Sequence, residues 1–322
     1  MFDDAIKSFP KQFEYEPEIV NADKLKKFSN FVVVGMGGSC LAAKILKDIK
    51  PSLNIIIHSD YDLPTIGKKF LEESLIILSS YSGNTEEVLS AYDATVAGGL
   101  SLAVVSTGGK LLEKAKMDNA PYVQMPDTGI QPRLALGFSI KALLKIMGEE
   151  TLSREMNELS KTLKSEDLKE PARELAERLL GFIPVIYSSS RNFSLAYIWK
   201  IIFNETSKIP AFYNVFPELN HNELEGFDVV ENTEQLSEKF YFLILKDTED
   251  NPRIAKRMDV LAELYKDKRL KVETLELRGQ NIFHKFFTSI LLAEWTAYYL
   301  AGKYVVDPGK TMLIEKFKKL IN

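Results

Sequence analysis

Two short segments carry residue types that can hold an anion without a metal. The first is Gly35-Met36-Gly37-Gly38-Ser39; the second is Ser80-Tyr81-Ser82-Gly83-Asn84-Thr85-Glu86-Glu87. Glycines let backbone N–H groups come close to an oxyanion, and a following helix adds the positive end of its dipole. The hydroxyls of Ser80, Ser82 and Thr85 place further donors around Gly83, which suits a phosphate group. Each segment alone has a plainer reading. Glycines after a strand serve tight strand–helix packing or, with Asp60 beyond the next strand, a dinucleotide fingerprint. Asn84 or Thr85 can cap a helix whose first turn carries Glu86 and Glu87. A cap accounts for one or two of these residues, but not for a hydroxyl cluster beside a second glycine loop. With no Gly-Lys-Ser/Thr ending, a Walker-type nucleotide loop is disfavoured.

Proton chemistry needs titratable groups elsewhere. The chain has three histidines, His58, His221 and His284. His58 ends an apolar run and His284 lies in an apolar helical stretch, where a core histidine is the simpler assignment. Glu205 ends another helical stretch; by its type alone it is a surface glutamate. Arg133 follows Gln131-Pro132, where the plain reading is a helix-start residue in a surface ion pair. The single cysteine, Cys40, excludes a disulfide within the chain and a cysteine-based zinc site, and fits a reducing compartment. No His/Asp/Glu cluster has metal-ligand spacing, so neither a metal nor another cofactor is expected.

The elements that must position these groups follow from periodicity. Short β-branched runs at 30–34, 54–58, 75–79, 102–106 and 122–123 alternate with helical spacing at 41–49, 85–97 and from 110. From 134 to 164 the pattern is helical, with Leu152, Met156, Leu159 and Leu163 on one face, and a further helix covers 172–180. Alternation then restarts, with strands at 182–187, 241–245 and 272–275 and helices at 195–203, 254–261, 283–300 and 312–321. This is an α/β chain of βαβ units in two lobes, 1–150 and 151–322, each with a mostly parallel sheet flanked by helices. Tyr187-Ser188-Ser189-Ser190-Arg191-Asn192 stands where the first glycine loop stands in lobe one, as a copy without glycines.

Bulk properties agree. The 322 residues are 45% hydrophobic and 27% charged, as in a soluble globular chain long enough for two lobes. The net charge of -4 argues against broad nucleic-acid binding. No signal-peptide pattern is evident at the start, and the apolar stretch 286–301, interrupted by Glu294, is too short for a membrane span.

The string Ser80-x-Ser82-Gly83-x-Thr85-x-Glu87, with Gly35-x-Gly37-Gly38-Ser39 upstream, resembles the signature of sugar-isomerase (SIS) domains. Asn204-Glu205-x-x-Lys208-x-Pro210-Ala211 and Asn220-His221-Asn222-Glu223 resemble segments of the bifunctional phosphoglucose/phosphomannose isomerases, as do Pro132-Arg133 and the tail from Val306 to Lys318. The resemblance implies two SIS subdomains and a closing helix that packs back near the active site. It implies a phosphate held by Gly37, Gly38, Ser39, Ser80, Ser82 and Thr85. Glu205 becomes the base, His221 and Lys318 the ring-opening groups, and Arg133 the partner of the enediolate. Lys310 and Lys316 are alternatives to Lys318. Thr311 would leave room near C2, admitting mannose 6-phosphate beside glucose 6-phosphate. A cytoplasmic homodimer with a shared site and a sugar-phosphate substrate is implied as well. The competing readings are a non-catalytic SIS sensor, a SIS isomerase for another sugar phosphate, and a nucleotide-binding oxidoreductase using Gly35 and Asp60.

Overall fold

A computed structural model describes residues 2–321. They form two compact units, 8–163 and the pair of segments 2–7 and 164–321. In the first unit the strands β1 (Asn30–Val34), β2 (Asn54–His58), β3 (Ser74–Ser80), β4 (Leu102–Ser106) and β5 (Tyr122–Gln124) make one sheet in the order β2-β1-β3-β4-β5. All the pairings are parallel, with Val32 opposite both Ile56 and Ile76. Such a sheet needs apolar residues on both faces, and Phe31 to Val34, Leu75 to Leu78 and Ala103 to Val105 are accordingly buried. The helices α1 (Gly38–Ile49), α2 (Glu86–Ala97) and α3 (Gly109–Met117) each begin just after a strand of this sheet.

The long helical stretch is cut by Gly148, whose φ of +75° ends α4 (Leu136–Met147). Next comes α5 (Glu150–Asn157), where Lys141 of α4, fully buried, donates to Asn157 and, at 3.2 Å, to Glu16. This link and the burial of Leu152, Met156, Leu159 and Leu163 keep residues 150–163 with the first unit, so the division falls at 163/164 where the sequence pattern suggests about 150.

The second unit opens with α6 (Lys169–Leu179), whose inward face is Ala172, Leu175, Ala176 and Leu179. Its sheet, in the order β7-β6-β8-β9, contains β6 (Ile183–Ser189), β7 (Phe212–Phe216), β8 (Phe240–Lys246) and β9 (Lys271–Glu276), again all parallel. Positions of strands β2-β1-β3-β4 are thus repeated as β7-β6-β8-β9. The sequence pattern misses β7, an edge strand whose residues 212–215 are exposed or half-buried. The helices are α7 (Phe193–Ile202), α8 (Pro252–Asp267), α9 (Ile282–Lys303) and α10 (Met312–Ile321). Trp199 Nε1 donates to Ser289 Oγ at 3.0 Å and Trp295 Nε1 to the Ser165 carbonyl at 2.9 Å, so both buried indoles find acceptors. The helix made by residues 2–8 belongs here too: Ser165 Oγ donates to the Ile6 carbonyl at 2.8 Å, and Phe2 stacks on Tyr298. The apolar stretch 286–301 lies within α9, and among the described residues no helix is long and apolar enough to cross a membrane. Helix α10 forms as the sequence predicts, yet none of its residues is buried, with Phe317 60% exposed.

Candidate active site

The first unit gathers both glycine loops and Arg133. Gly37, at φ +50°, turns the chain from β1 into α1. At Gly38 a side chain would meet the Pro132-Arg133 backbone at 3.0 Å, so the missing Cβ is what lets that turn lie against the loop. Arg133 is 2% exposed, which removes the reading of a surface ion pair. Ser39 Oγ accepts from the Tyr81 N–H at 2.9 Å, and Ser79 Oγ donates to the Ser39 carbonyl at 3.0 Å. These two bonds fasten the first loop to the second.

Within the second loop, Ser80 Oγ and Thr85 Oγ1 are 2.8 Å apart, and Gly83 N–H donates to Ser80 Oγ at 3.1 Å. Thr85 occupies the N-cap position of α2, but its side chain makes no capping hydrogen bond. The capping explanation therefore fails for this hydroxyl, which faces Ser80 across the loop. Ser82 is exposed at the tip, its Oγ accepting from Asn84 N–H at 3.3 Å.

A third loop, which sequence reasoning did not single out, supports this one. Thr107 Oγ1 donates to the Tyr81 carbonyl at 2.7 Å, Leu111 N–H to the Gly83 carbonyl at 2.9 Å, and Lys110 N–H to Asn84 Oδ1 at 3.2 Å. The signal for it was Thr107-Gly108-Gly109 between β4 and α3, the same strand–glycine–helix arrangement as the other two. Asp60, by contrast, is an exposed residue whose Oδ1 accepts from the next residue's N–H at 2.8 Å.

The remaining residues lie in the second unit. Glu205, half-buried, sits in a π-helical turn, Phe203–Ser207, that continues α7. A π turn widens the helix by one residue per hydrogen-bonded ring and re-aims the side chains on it. The turn is closed by Lys208 at φ +59°, by Lys208 Nζ donating to the Glu205 carbonyl, and by Asn204 Nδ2 donating to the Ile209 carbonyl at 2.9 Å. Ser207 Oγ ties it to α9 through the Ala297 carbonyl at 2.9 Å. His221 is exposed at the end of a short turn, Glu218–His221. His284 is half-buried, its Nδ1 3.1 Å from Thr288 Oγ1, and His58 Nε2 lies 3.1 Å from the Tyr61 carbonyl. Thr311 is half-buried, while Lys316 and Lys318 are exposed on α10. Lys310 pairs with Asp307 at 3.7 Å, an interaction local to the tail.

Glu223 is a residue whose role the sequence did not reveal. Its carboxylate accepts from the Tyr187 hydroxyl on β6 and from Asn214 Nδ2 on β7. Burial pushes the Tyr187 phenol far above its ordinary pKa, with Tyr265 and then Glu223 adding to the effect. The turn carrying His221 is thereby pinned to two strands of the sheet. Glu223→Ala should cost about 1–3 kcal/mol, since it strands a buried phenol, and Glu223→Gln should recover part of that. Denaturant titrations of the two variants check this; equal midpoints for both and for the wild type would refute it.

The paired parallel sheets and the loops at their strand ends define a double-SIS fold of the kind found in sugar-phosphate enzymes. The chain superposes on the crystal structure of tagatose-6-phosphate ketose/aldose isomerase from Escherichia coli with a TM-score of 0.68, covering 96% of this chain and 94% of that one at 16% identity. The family described as bacterial phospho-glucose isomerase C-terminal SIS domain matches residues 168–321. Similarity to the bifunctional phosphoglucose/phosphomannose isomerase of Aquifex aeolicus reaches 32% identity across 98% of this chain and 96% of that protein. The enzyme of the same description from Caldicellulosiruptor bescii is 34% identical across 98% and 97%. The chain belongs to the bifunctional phosphoglucose/phosphomannose isomerase family.

Proposed function

We propose that the protein interconverts glucose 6-phosphate, and mannose 6-phosphate, with fructose 6-phosphate through an enediolate. The observation that carries this reading is the arrangement of hydroxyls in the first unit. Ser39, Ser80 and Thr85 stand on two glycine loops with buried Arg133 alongside, and the Thr85 hydroxyl is not spent on capping. The 6-phosphate lies on Gly37, Gly38, Ser39, Ser80, Ser82 and Thr85. His221 and Lys318 open the pyranose by moving a proton to the ring oxygen and taking one from the anomeric hydroxyl. Glu205 removes the C2 proton and returns it to C1, while the hydroxyl proton passes from O2 to O1. Arg133, permanently charged, stabilises the oxyanion that develops between these steps. Thr311 leaves space beside C2, so that rotation about C2–C3 offers the mannose configuration to the same base.

A shared site in a cytoplasmic homodimer completes the reading. His221, exposed in the single chain, is the residue a partner would receive. The test is a coupled assay for fructose 6-phosphate with each aldose phosphate, in EDTA. Turnover of both is expected. Turnover of glucose 6-phosphate alone would remove the role given to Thr311, and turnover of neither would overturn the isomerase in favour of a sugar-phosphate sensor.

A further inference from the structure

The second unit repeats the strand order of the first, so its loops can be compared position by position. The loop after β6, Ser190-Arg191-Asn192, corresponds to Gly35–Ser39, and the loop after β8, residues 247–251, corresponds to Ser80–Thr85. In the first unit these positions present hydroxyls and backbone N–H groups. In the second they present Arg191 and the Glu249 carboxylate, which Lys285 also reaches from α9. Arg191 Nη2 donates to Glu249 Oε2 at 2.5 Å, and Arg191 Nη1 to the Glu249 carbonyl at 2.7 Å. Lys285, near the start of α9 and only 7% exposed, donates to Glu249 Oε1 at 2.9 Å and to Asp247 Oδ1 at 2.7 Å.

We infer that the second unit retains an oxyanion site at its strand ends, and that the chain fills it with its own Glu249 carboxylate. Three features support this. A lysine as buried as Lys285 requires anionic partners, and it draws two from the loop, Asp247 and Glu249. The arginine meets Glu249 both through its side chain and through its carbonyl, which closes the loop over the cations. The neighbouring loop residues bond among themselves: Asp250 Oδ2 accepts from Asp247 N–H at 2.9 Å, and Asn192 Nδ2 lies 3.2 Å from Ser189 Oγ. Consistent with this geometry, the hydrogen bond from Arg191, and next that from Lys285, holds the Glu249 carboxyl down at about 2.

A self-filled site has two consequences. Each chain offers one phosphate cradle rather than two, although the fold is duplicated. Emptying the site should let a small external oxyanion take the place of the side chain. This inference does not depend on which sugar the first unit takes.

The experiment is chemical rescue. Glu249→Ala is expected to melt at a lower temperature than the wild type, and acetate should restore the loss with a saturable dose response. Chloride at equal ionic strength should not, and Glu249→Ala/Arg191→Ala should gain nothing from acetate. The wild type should show no acetate response at all. A Glu249→Ala protein that acetate and chloride stabilise equally would overturn the inference, as would acetate rescue in the double variant. If Glu249→Ala does not fold in buffer alone, the yield on refolding that same variant in acetate against chloride decides the matter in the same way.

Discussion

Glu205→Gln should lower turnover roughly 10²- to 10⁴-fold while leaving KM close to the wild-type value. Glutamine keeps the shape and hydrogen-bonding capacity of the side chain but cannot accept the C2 proton. The substitution falls in a π turn closed by the Glu205 carbonyl, Asn204 and Ser207. Because glutamine fills the same volume, the melting temperature should hold, separating lost chemistry from lost fold. Glu205→Asp keeps the charge and withdraws it by one methylene, and a displacement of about 1 Å can itself cost about 10²-fold. Turnover of Glu205→Gln within a few-fold of the wild type, measured in the coupled assay, would remove Glu205 from the mechanism and leave the phosphate loops untouched by the result.

The second large effect is expected at Gly83. Its φ is +68°, and an added Cβ would stand 1.7 Å from the Gly108 carbonyl oxygen and 2.7 Å from its carbon. These are backbone atoms of the supporting third loop, so they cannot swing aside as a side-chain tip could. Gly83→Ala must push the two loops apart, breaking the bonds from Leu111 N–H and Thr107 Oγ1. A loss of about 3 kcal/mol or more is expected, with a KM at least tenfold higher. Gly148→Ala is the control, because its φ of +75° is also positive and left-handed but nothing lies within 4 Å of the added Cβ. It should cost only the backbone strain of about 1–2 kcal/mol. Equal effects at the two glycines would show that φ alone, and not the third loop, sets the requirement at Gly83.

Much of this architecture was legible in the sequence because buried parallel strands must be continuously apolar. Phe31 to Val34, Leu75 to Leu78 and Phe242 to Leu245 announce themselves for that reason. The edge strand β7 did not, since one side of it carries no partner and its centre holds Asn214. The two glycine loops were visible as strings because their residues are contiguous. What was hidden is what joins distant segments: Arg133 resting on Gly38, Thr107 buttressing Tyr81, and Glu223 fastening β6 to β7. Each depends on a contact across dozens of residues or on a fold-imposed close approach, which single-residue type does not encode. The division of the chain shows the same limit. Helical periodicity ran on past residue 150, but the bond from Lys141 to Asn157 decides to which unit that helix belongs.

The helix of residues 2–8 packs with material that begins only at residue 164. During synthesis the first unit emerges as one unbroken stretch, complete at residue 163, and can fold while the ribosome is still at work. The second cannot. Its helix of residues 2–8 leaves the tunnel before either partner and must wait for Ser165, about 8–30 s later, and then for Tyr298, about 15–60 s later, at roughly 5–20 residues per second. Throughout that interval Ile6, buried in the finished chain, has no completed core to enter. Birth order thus separates the helix of residues 2–8 from the material it packs on by the whole of the first unit, and leaves it among the last parts to settle.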